Sequence, residues 1–291
     1  MSDPPRTGAT SHPERQRMAR SAADRAVVTH RQLSGPAYHG DFITRYDELR
    51  PKPPRELFEL LLSLAPANPP ALVVDLGAGT GISTAAWSEL AVHVIGVDLN
   101  MGMLRVARRA ANVVYTRASA DQTGLADGCA DVITCAQSFH WMDPDATIAE
   151  IARLLRSGGI FAAYDYDWPP LIDWDVDAAF LRVIRASGVE PSRPDKARHI
   201  ERLLASGRFR GVREVFLHAR ELVDADHITR LALAFGPVAR KLNEGVTSRE
   251  LGLDKLAETV GRRLDPGTNA AWWSYRLRIG LAVGTAATLE P

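Results

Sequence analysis

Cysteine is almost missing from this 291-residue chain: it has two, Cys129 and Cys135, and no histidine stands at ligand spacing beside them. Neither a disulfide framework nor a zinc site is suggested, and no metal is expected. Excess charge of either sign is also lacking, since 35 lysines and arginines balance 35 aspartates and glutamates. Without a global field to draw the chain to nucleic acid or to an anionic membrane, a small-molecule substrate is expected. No run of eighteen apolar residues occurs, and the opening MSDPPRTGATSH has no apolar stretch of the kind a signal peptide needs. A cytoplasmic location is expected. What is there is 46% apolar and 24% charged residues, an ordinary globular composition, over a length that suggests one large core with added segments.

Residues 1–10 are rich in proline, glycine, serine and threonine and are expected to be disordered. The stretch SHPERQRMARSAADRAVVTHRQLSGP then reads as a helix: Ser11 and Glu14 stand at capping-box spacing, Pro13 sits in the first turn, and Ser34-Gly35-Pro36 stops it. Its thin apolar face, Met18, Ala22, Ala26 and Leu33, must dock on the core or on a second subunit, so residues 1–36 form a tail and helical arm through which a homo-oligomer is expected. Residues 37–291 are the main domain. Within it, prolines 51, 53 and 54 introduce a helix with Leu57, Leu60, Leu61 and Leu64 as its buried stripe.

From residue 71 short apolar runs alternate with amphipathic segments. Strands are expected at 71–76, 92–98, 112–116, 130–136 and 159–165, with helices from about 81, from about 101 and over 144–156. That alternation implies right-handed crossovers and a doubly wound α/β parallel sheet covered on both faces. Beyond Trp168, helices are expected at 175–187, 195–206, 226–243 and 249–263, and strands at 212–222 and 272–283. Segments 168–206 and 224–268 would then cap the C-terminal edge of the sheet, where such folds bind ligands.

The stretch VVDLGAGTG places Gly77, Gly79 and Gly81 directly after the first strand. The order is G-x-G-x-G, with Ile82 where a dinucleotide loop of the G-x-G-x-x-G type has its last glycine. A tight turn without side chains at alternate positions lets an adenosyl ligand lie on bare backbone, with Asp75 placed to meet a cationic amine directly or through water. Seventeen residues on, GVDLN ends a strand in Asp98, an acceptor for both hydroxyls of a ribose. Asp121, after the third strand, is an acceptor for an adenine amino group. Each signal has an ordinary reading by itself, as a glycine turn, a helix cap or a turn residue; their order and spacing together point to a nucleoside.

These residues resemble the class I S-adenosylmethionine-dependent methyltransferase family, with VVDLGAGTG, GVDLN, ASADQTGLADGCADVI and LLRSGGIFAAYDY standing where its motifs stand. The resemblance is close over residues 40–167 and looser beyond. It implies a seven-stranded sheet whose last strand runs antiparallel, with a cap inserted between the fifth and sixth strands. It implies S-adenosylmethionine as cofactor, S-adenosylhomocysteine as product, and cofactor contacts from Tyr46, Arg50, Asp75, Gly77, Ala78, Gly79, Asp98, Leu99, Met103, Ala120, Asp121, Gln137 and Trp141. The stretches YDELRPKPP and AQSFHWMD look like the small-molecule subgroup that includes trans-aconitate and natural-product methyltransferases. RPKPP has Pro53 where that subgroup more usually has tyrosine, so its particular substrate does not carry over.

Methyl transfer from a sulfonium needs alignment in a dry pocket, and a base only where the nucleophile must lose a proton. In the loop after the fourth strand, His140 is the candidate base; it is equally read as a pocket-lining donor or as a residue that pins its loop. Tyr38, His39, Tyr164, Asp165, Trp168 and Phe235 are the candidate substrate contacts, and the pair Trp272 and Trp273 reads as strand core. The acceptor atom is oxygen, nitrogen or activated carbon. Two alternatives remain: a non-catalytic nucleoside-binding or scaffold protein, and a nicotinamide-dependent oxidoreductase.

Overall fold

Runs of valine and isoleucine bounded by glycine, proline and asparagine build one seven-stranded sheet. The computed structural model describes residues 41–189 and 198–283, all within the compact unit 36–291. The expected arm at 1–36, the oligomer contact assigned to it, and Tyr38 and His39 lie outside the described residues. The strands are β1 (Leu72–Leu76), β2 (His93–Asp98), β3 (Val113–Arg117), β4 (Ala130–Ala136), β5 (Leu155–Tyr166), β6 (Phe209–Val223) and β7 (Asn269–Ala282). They lie in the order β3-β2-β1-β4-β5-β7-β6. β1 to β5 pair in parallel, and β7 runs antiparallel to both β5 and β6. Strand order reverses between β1 and β4, so the loops leaving their C-terminal ends diverge and open a crevice.

Helices α1 (Asp41–Leu49) and α2 (Arg55–Leu64) precede β1, and α3 (Ile82–Trp87), α4 (Met101–Val106) and α5 (Pro144–Leu154) form the crossovers. Starts are set by side-chain caps where the sequence supplies them. Asn100 accepts from the amides of Gly102 and Met103, and Asp143 accepts from Asp145 and Ala146 ahead of a helix that begins with Pro144. Neighbours on β1 face opposite cores: Val73 packs with Leu57, Trp87 and Val132, while Val74 packs with Ile133, Ile151 and Phe161. Both valines are fully buried, as a sheet covered on two faces requires.

α6 (Trp174–Ala186) and α7 (His199–Ala205) connect β5 to β6; α8 (Ala225–Leu231), α9 (Gly236–Asn243) and α10 (Leu253–Arg263) connect β6 to β7, with α10 packed against α6. Three expectations need correction. The helix expected over 226–243 is broken, because Pro237 has no amide for a continuing ladder; a 3-10 turn at Ala232–Ala234 separates α8 from α9. The helix expected to reach 156 stops at Leu154, and Leu155 already pairs with Ala130 ahead of a register shift on the way to Ile160. In α2 it is Phe58 that completes the buried stripe with Leu57 and Leu61, while Leu64 is 37% exposed. Phe58 sits edge-on to Trp87, a larger apolar contact than the leucine at the helix end would make. Cys129 and Cys135 are free thiols. Among the described residues no helix is long and apolar enough to cross a membrane.

Candidate active site

β1 ends in the glycine turn, and its three glycines are there for three reasons. All have positive φ, +73° at Gly77, +57° at Gly79 and +79° at Gly81, a region other residues enter at a cost. A Cβ on Gly77 would lie 2.4 Å from Cβ of Ser138, which is held there because its hydroxyl donates to Leu76 O at 2.7 Å. One on Gly81 would lie 2.2 Å from the Tyr115 hydroxyl. Around Gly79 no atom stands within 4 Å of an added Cβ. Gly77 therefore makes room for the loop that carries Ser138, Gly81 makes room for the Tyr115 side chain of β3, and Gly79 alone of the three faces open space. The amides of Gly77 and Ala78 both donate to Val97 O, at 2.7 and 3.0 Å, which ties the turn to β2.

Asp75 lies beneath this turn and is fully buried. Its Oδ2 accepts from the Thr84 hydroxyl and its Oδ1 from the Thr134 hydroxyl, each at 2.7 Å, so it braces β1 against α3 and β4 and does not line the cleft. Burial raises its pKa to about 6, with the threonine hydrogen bonds opposing the rise. Asp98 ends β2; Oδ2 accepts from Gly79 N at 2.8 Å and Oδ1 from Asn100 N at 2.7 Å. Its pKa is raised by burial, against the backbone donors of Asn100, Gly79 and Leu99. Leu99 and Met103 follow it, Met103 buried on α4 and Leu99 accepting from Arg117 Nε through its carbonyl at 3.2 Å. Ala120 and Asp121 occupy a turn in which Ser119 Oγ donates to Asp121 Oδ1.

A cleft open to solvent runs beside the turn, between Gly79, Gln137, Tyr164 and Tyr166 at the C-terminal ends of the strands and Tyr46 and Arg50 from the segment ahead of β1. The Arg50 guanidinium lies 4.4 Å from the Tyr46 ring centre and 4.8 Å from that of Trp168. Its Nη1 donates to the Tyr166 hydroxyl at 2.6 Å and its Nη2 to Ala234 O at 3.2 Å. Gln137 has a φ of +55°, the one positive value outside glycine among the described residues, and its amide donates to Tyr164 O at 2.9 Å. Strain of this kind at the edge of a cleft is sustained by the surrounding packing. The Tyr164 and Ser83 hydroxyls are 2.5 Å apart in the floor, and burial pushes the phenol's pKa well up.

Asp165 does not share the cleft face with Tyr164, because consecutive residues of a strand point to opposite sides. Tyr166 takes the place beside Tyr164, and that period-two signal was present in AAYDYDW. Asp165 instead accepts from Arg278 Nη1 at 2.6 Å and stands 3.4 Å from His140 Nδ1. The 3-10 turn Phe139–Trp141 carries His140, whose side chain is 8% exposed; its ring lies 5.0 Å from that of Trp141. Neither His140 nor Trp141 lines the cleft. Trp168 and Phe235, 5.2 Å apart, stand behind Arg50 with Trp273, which is buried, whereas Trp272 on the opposite face is 48% exposed. Tyr166, Tyr275 and Ser83 are cleft residues that the sequence reading missed.

A glycine turn, an acid bound to it at the end of the next strand, and a cleft at the sheet's reversal point coincide with a family match: residues 74–163 match the methyltransferase domain. Residues 74–163 carry a methyltransferase domain, and the seven-stranded sheet around it has the fold of a solved methyltransferase. The chain is 38% identical over 121 residues to an uncharacterized methyltransferase of Mycobacterium tuberculosis, covering 41% of this chain and 48% of the relative. It is 34% identical over 108 residues to the malonyl-[acyl-carrier protein] O-methyltransferase of Serratia marcescens, covering 36% and 42%. A solved structure from Anaeromyxobacter dehalogenans, described as a candidate type II methyltransferase, superposes with a TM-score of 0.66 at 26% identity, over 81% of this chain and 99% of that one. The chain spans about half the length of the curated relatives it matches. The nicotinamide-dependent oxidoreductase alternative is set aside by these matches.

Proposed function

We propose that the protein transfers a methyl group from S-adenosylmethionine to a small-molecule acceptor. The observation that carries this reading is the contrast within the turn: Gly79 faces open space at the cleft wall while the flanking glycines are filled by the chain itself. The residues present fit the cofactor. Bare backbone at Gly79 leaves room for a nucleoside, the Asp98 carboxylate stands beside it as an acceptor for sugar hydroxyls, and Arg50 offers a guanidinium to a carboxylate. When bound, S-adenosylmethionine supplies an electrophilic methyl carbon on a sulfonium.

The chain's own work is then to position and to exclude water. Tyr46, Tyr166 and Trp168 hold the Arg50 side chain from three sides, which fixes where a carboxylate is received. Tyr164 and Ser83 close the floor with a hydrogen bond made inside the protein. For an acceptor that must lose a proton, His140 is the base to test; it does not line the cleft in this structure and its Nδ1 stands 3.4 Å from Asp165, so the role requires the turn Phe139–Trp141 to bring its Nε2 to the bound acceptor. Because one relative is an O-methyltransferase, oxygen is the acceptor atom to test first.

Titration calorimetry with S-adenosylhomocysteine and with NAD, followed by a screen of hydroxylic, amine and carboxylate acceptors for methylated product, tests the proposal. Binding of S-adenosylhomocysteine with turnover of one acceptor class is expected. Binding without product from any acceptor would favour the scaffold reading.

A further inference from the structure

β6 is the outermost strand and, at 15 residues, the longest. β7 covers one of its edges, and no described strand pairs with the other. A long edge strand presents a row of unpaired main-chain groups and is blunted in most proteins by proline, shortness, bulges or charged side chains; the charges on β6 would attract a copy in one register and leave it repelled or unpaired in the others. β6 contains no proline, and its register shift lies between Arg210 and Arg213, which leaves 213–221 regular.

Those nine residues are Arg213-Glu214-Val215-Phe216-Leu217-His218-Ala219-Arg220-Glu221. Laid antiparallel against an identical strand about a two-fold axis through Leu217, Arg213 falls opposite Glu221 and Glu214 opposite Arg220, each pair occurring twice. Every pair joins residues on the same face of the sheet, as a two-fold perpendicular to it demands. Sliding the axis to Phe216 or His218 removes every arginine–glutamate pair, so the charges specify one register. Arg213, Glu214 and Arg220 are exposed; Arg213 and Arg220 make no ion pair among the described residues, whereas Glu214 also stands 3.3 Å from Arg278 Nε and the half-buried Glu221 accepts from Trp273 Nε1 at 3.1 Å. Beside Glu214 and Arg220, on the face opposite to that of Arg213, Phe216 is 53% exposed and Leu222 62%, with Trp272 of β7, 48% exposed, opposite Arg220. Pairing would set Phe216 against His218 of the second copy.

We propose that this edge is the contact through which two copies of the chain join, β6 to β6, into one continuous sheet. The partner is a second copy because the charge pattern complements itself. The contact is independent of the cleft and of the reading of its chemistry.

Sedimentation velocity of the full chain at tens of micromolar should give twice the 31.8 kDa protomer mass. Arg213→Glu places acid opposite Glu221, and Glu221→Arg places base opposite Arg213; each alone should weaken the dimer by roughly tenfold or more. Mixed in equal amounts, the two variants restore opposite charges at both contacts and should re-form a dimer, now heterodimeric. Arg220→Glu, an exposed position that touches no buried partner, serves as the third variant should either of the others fail to fold by circular dichroism. A wild-type chain at protomer mass, a dimer indifferent to all three changes, or folded variants that stay monomeric on mixing would each overturn the proposal.

Discussion

The amide of Gly79 donates to Oδ2 of Asp98 at 2.8 Å, so the glycine turn and the acid at the end of β2 form one unit although 19 residues separate them. The carboxylate assigned to the sugar is thus positioned by the same backbone that leaves space for the nucleoside. Asp98→Ala should weaken S-adenosylhomocysteine binding at least tenfold by calorimetry, from the loss of a charged acceptor. Undiminished affinity would move the cofactor site elsewhere.

The three glycines should respond differently to alanine. Gly77→Ala drives a Cβ to 2.4 Å from Ser138 and strains a φ of +73°, and should cost about 3 kcal/mol of stability in urea unfolding. Gly79→Ala meets no neighbour and should cost only about 1–2 kcal/mol of backbone strain, while cofactor affinity falls. Equal destabilisation by both would contradict the division of roles.

Stability should fall as pH rises through the range set by Asp75. Its folded pKa, about 6, lies above the ordinary 3.8, so the native state holds its proton more tightly than the unfolded chain does. The associated stability is complete below about pH 4 and lost as pH passes 6, a change on the order of 3 kcal/mol at most. Asp75→Asn should flatten that part of the stability profile. Glu150 works in the opposite sense: its hydrogen bonds with Arg153 lower its pKa from 4.5 to about 2, so its contribution is present above 4.5 and lost as pH falls toward 2. The two profiles are distinguishable by denaturation at pH 3, 5 and 7.

Arg50 stacks on two rings and donates to Tyr166 in one geometry, which an ammonium group does not reproduce. Arg50→Lys should raise the KM for S-adenosylmethionine tenfold or more, with a smaller effect on kcat. A change confined to kcat would remove Arg50 from cofactor binding.

Asp165 and Arg278 are a buried pair, and removing one partner strands the other. Arg278→Met should destabilise the fold by about 3–5 kcal/mol, and adding Asp165→Asn should recover part of that loss. His140→Ala, by contrast, should lower kcat and flatten its pH profile while leaving S-adenosylhomocysteine affinity unchanged. Loss of affinity in that variant would make His140 a loop support.

The doubly wound sheet, its glycine turn and the acid at the end of β2 were legible in the residues alone, because strand–helix alternation and turn chemistry are short-range properties. The tertiary structure decided the rest. Alternation along β5 says that Tyr164 and Asp165 face opposite ways, but only packing shows that the tyrosine meets the cleft. Asp165 finds its counter-charge at Arg278, 113 residues away, and Arg50 finds Tyr166 across 116 residues. Contacts at such separations depend on which strands the fold makes neighbours, and no local pattern encodes that.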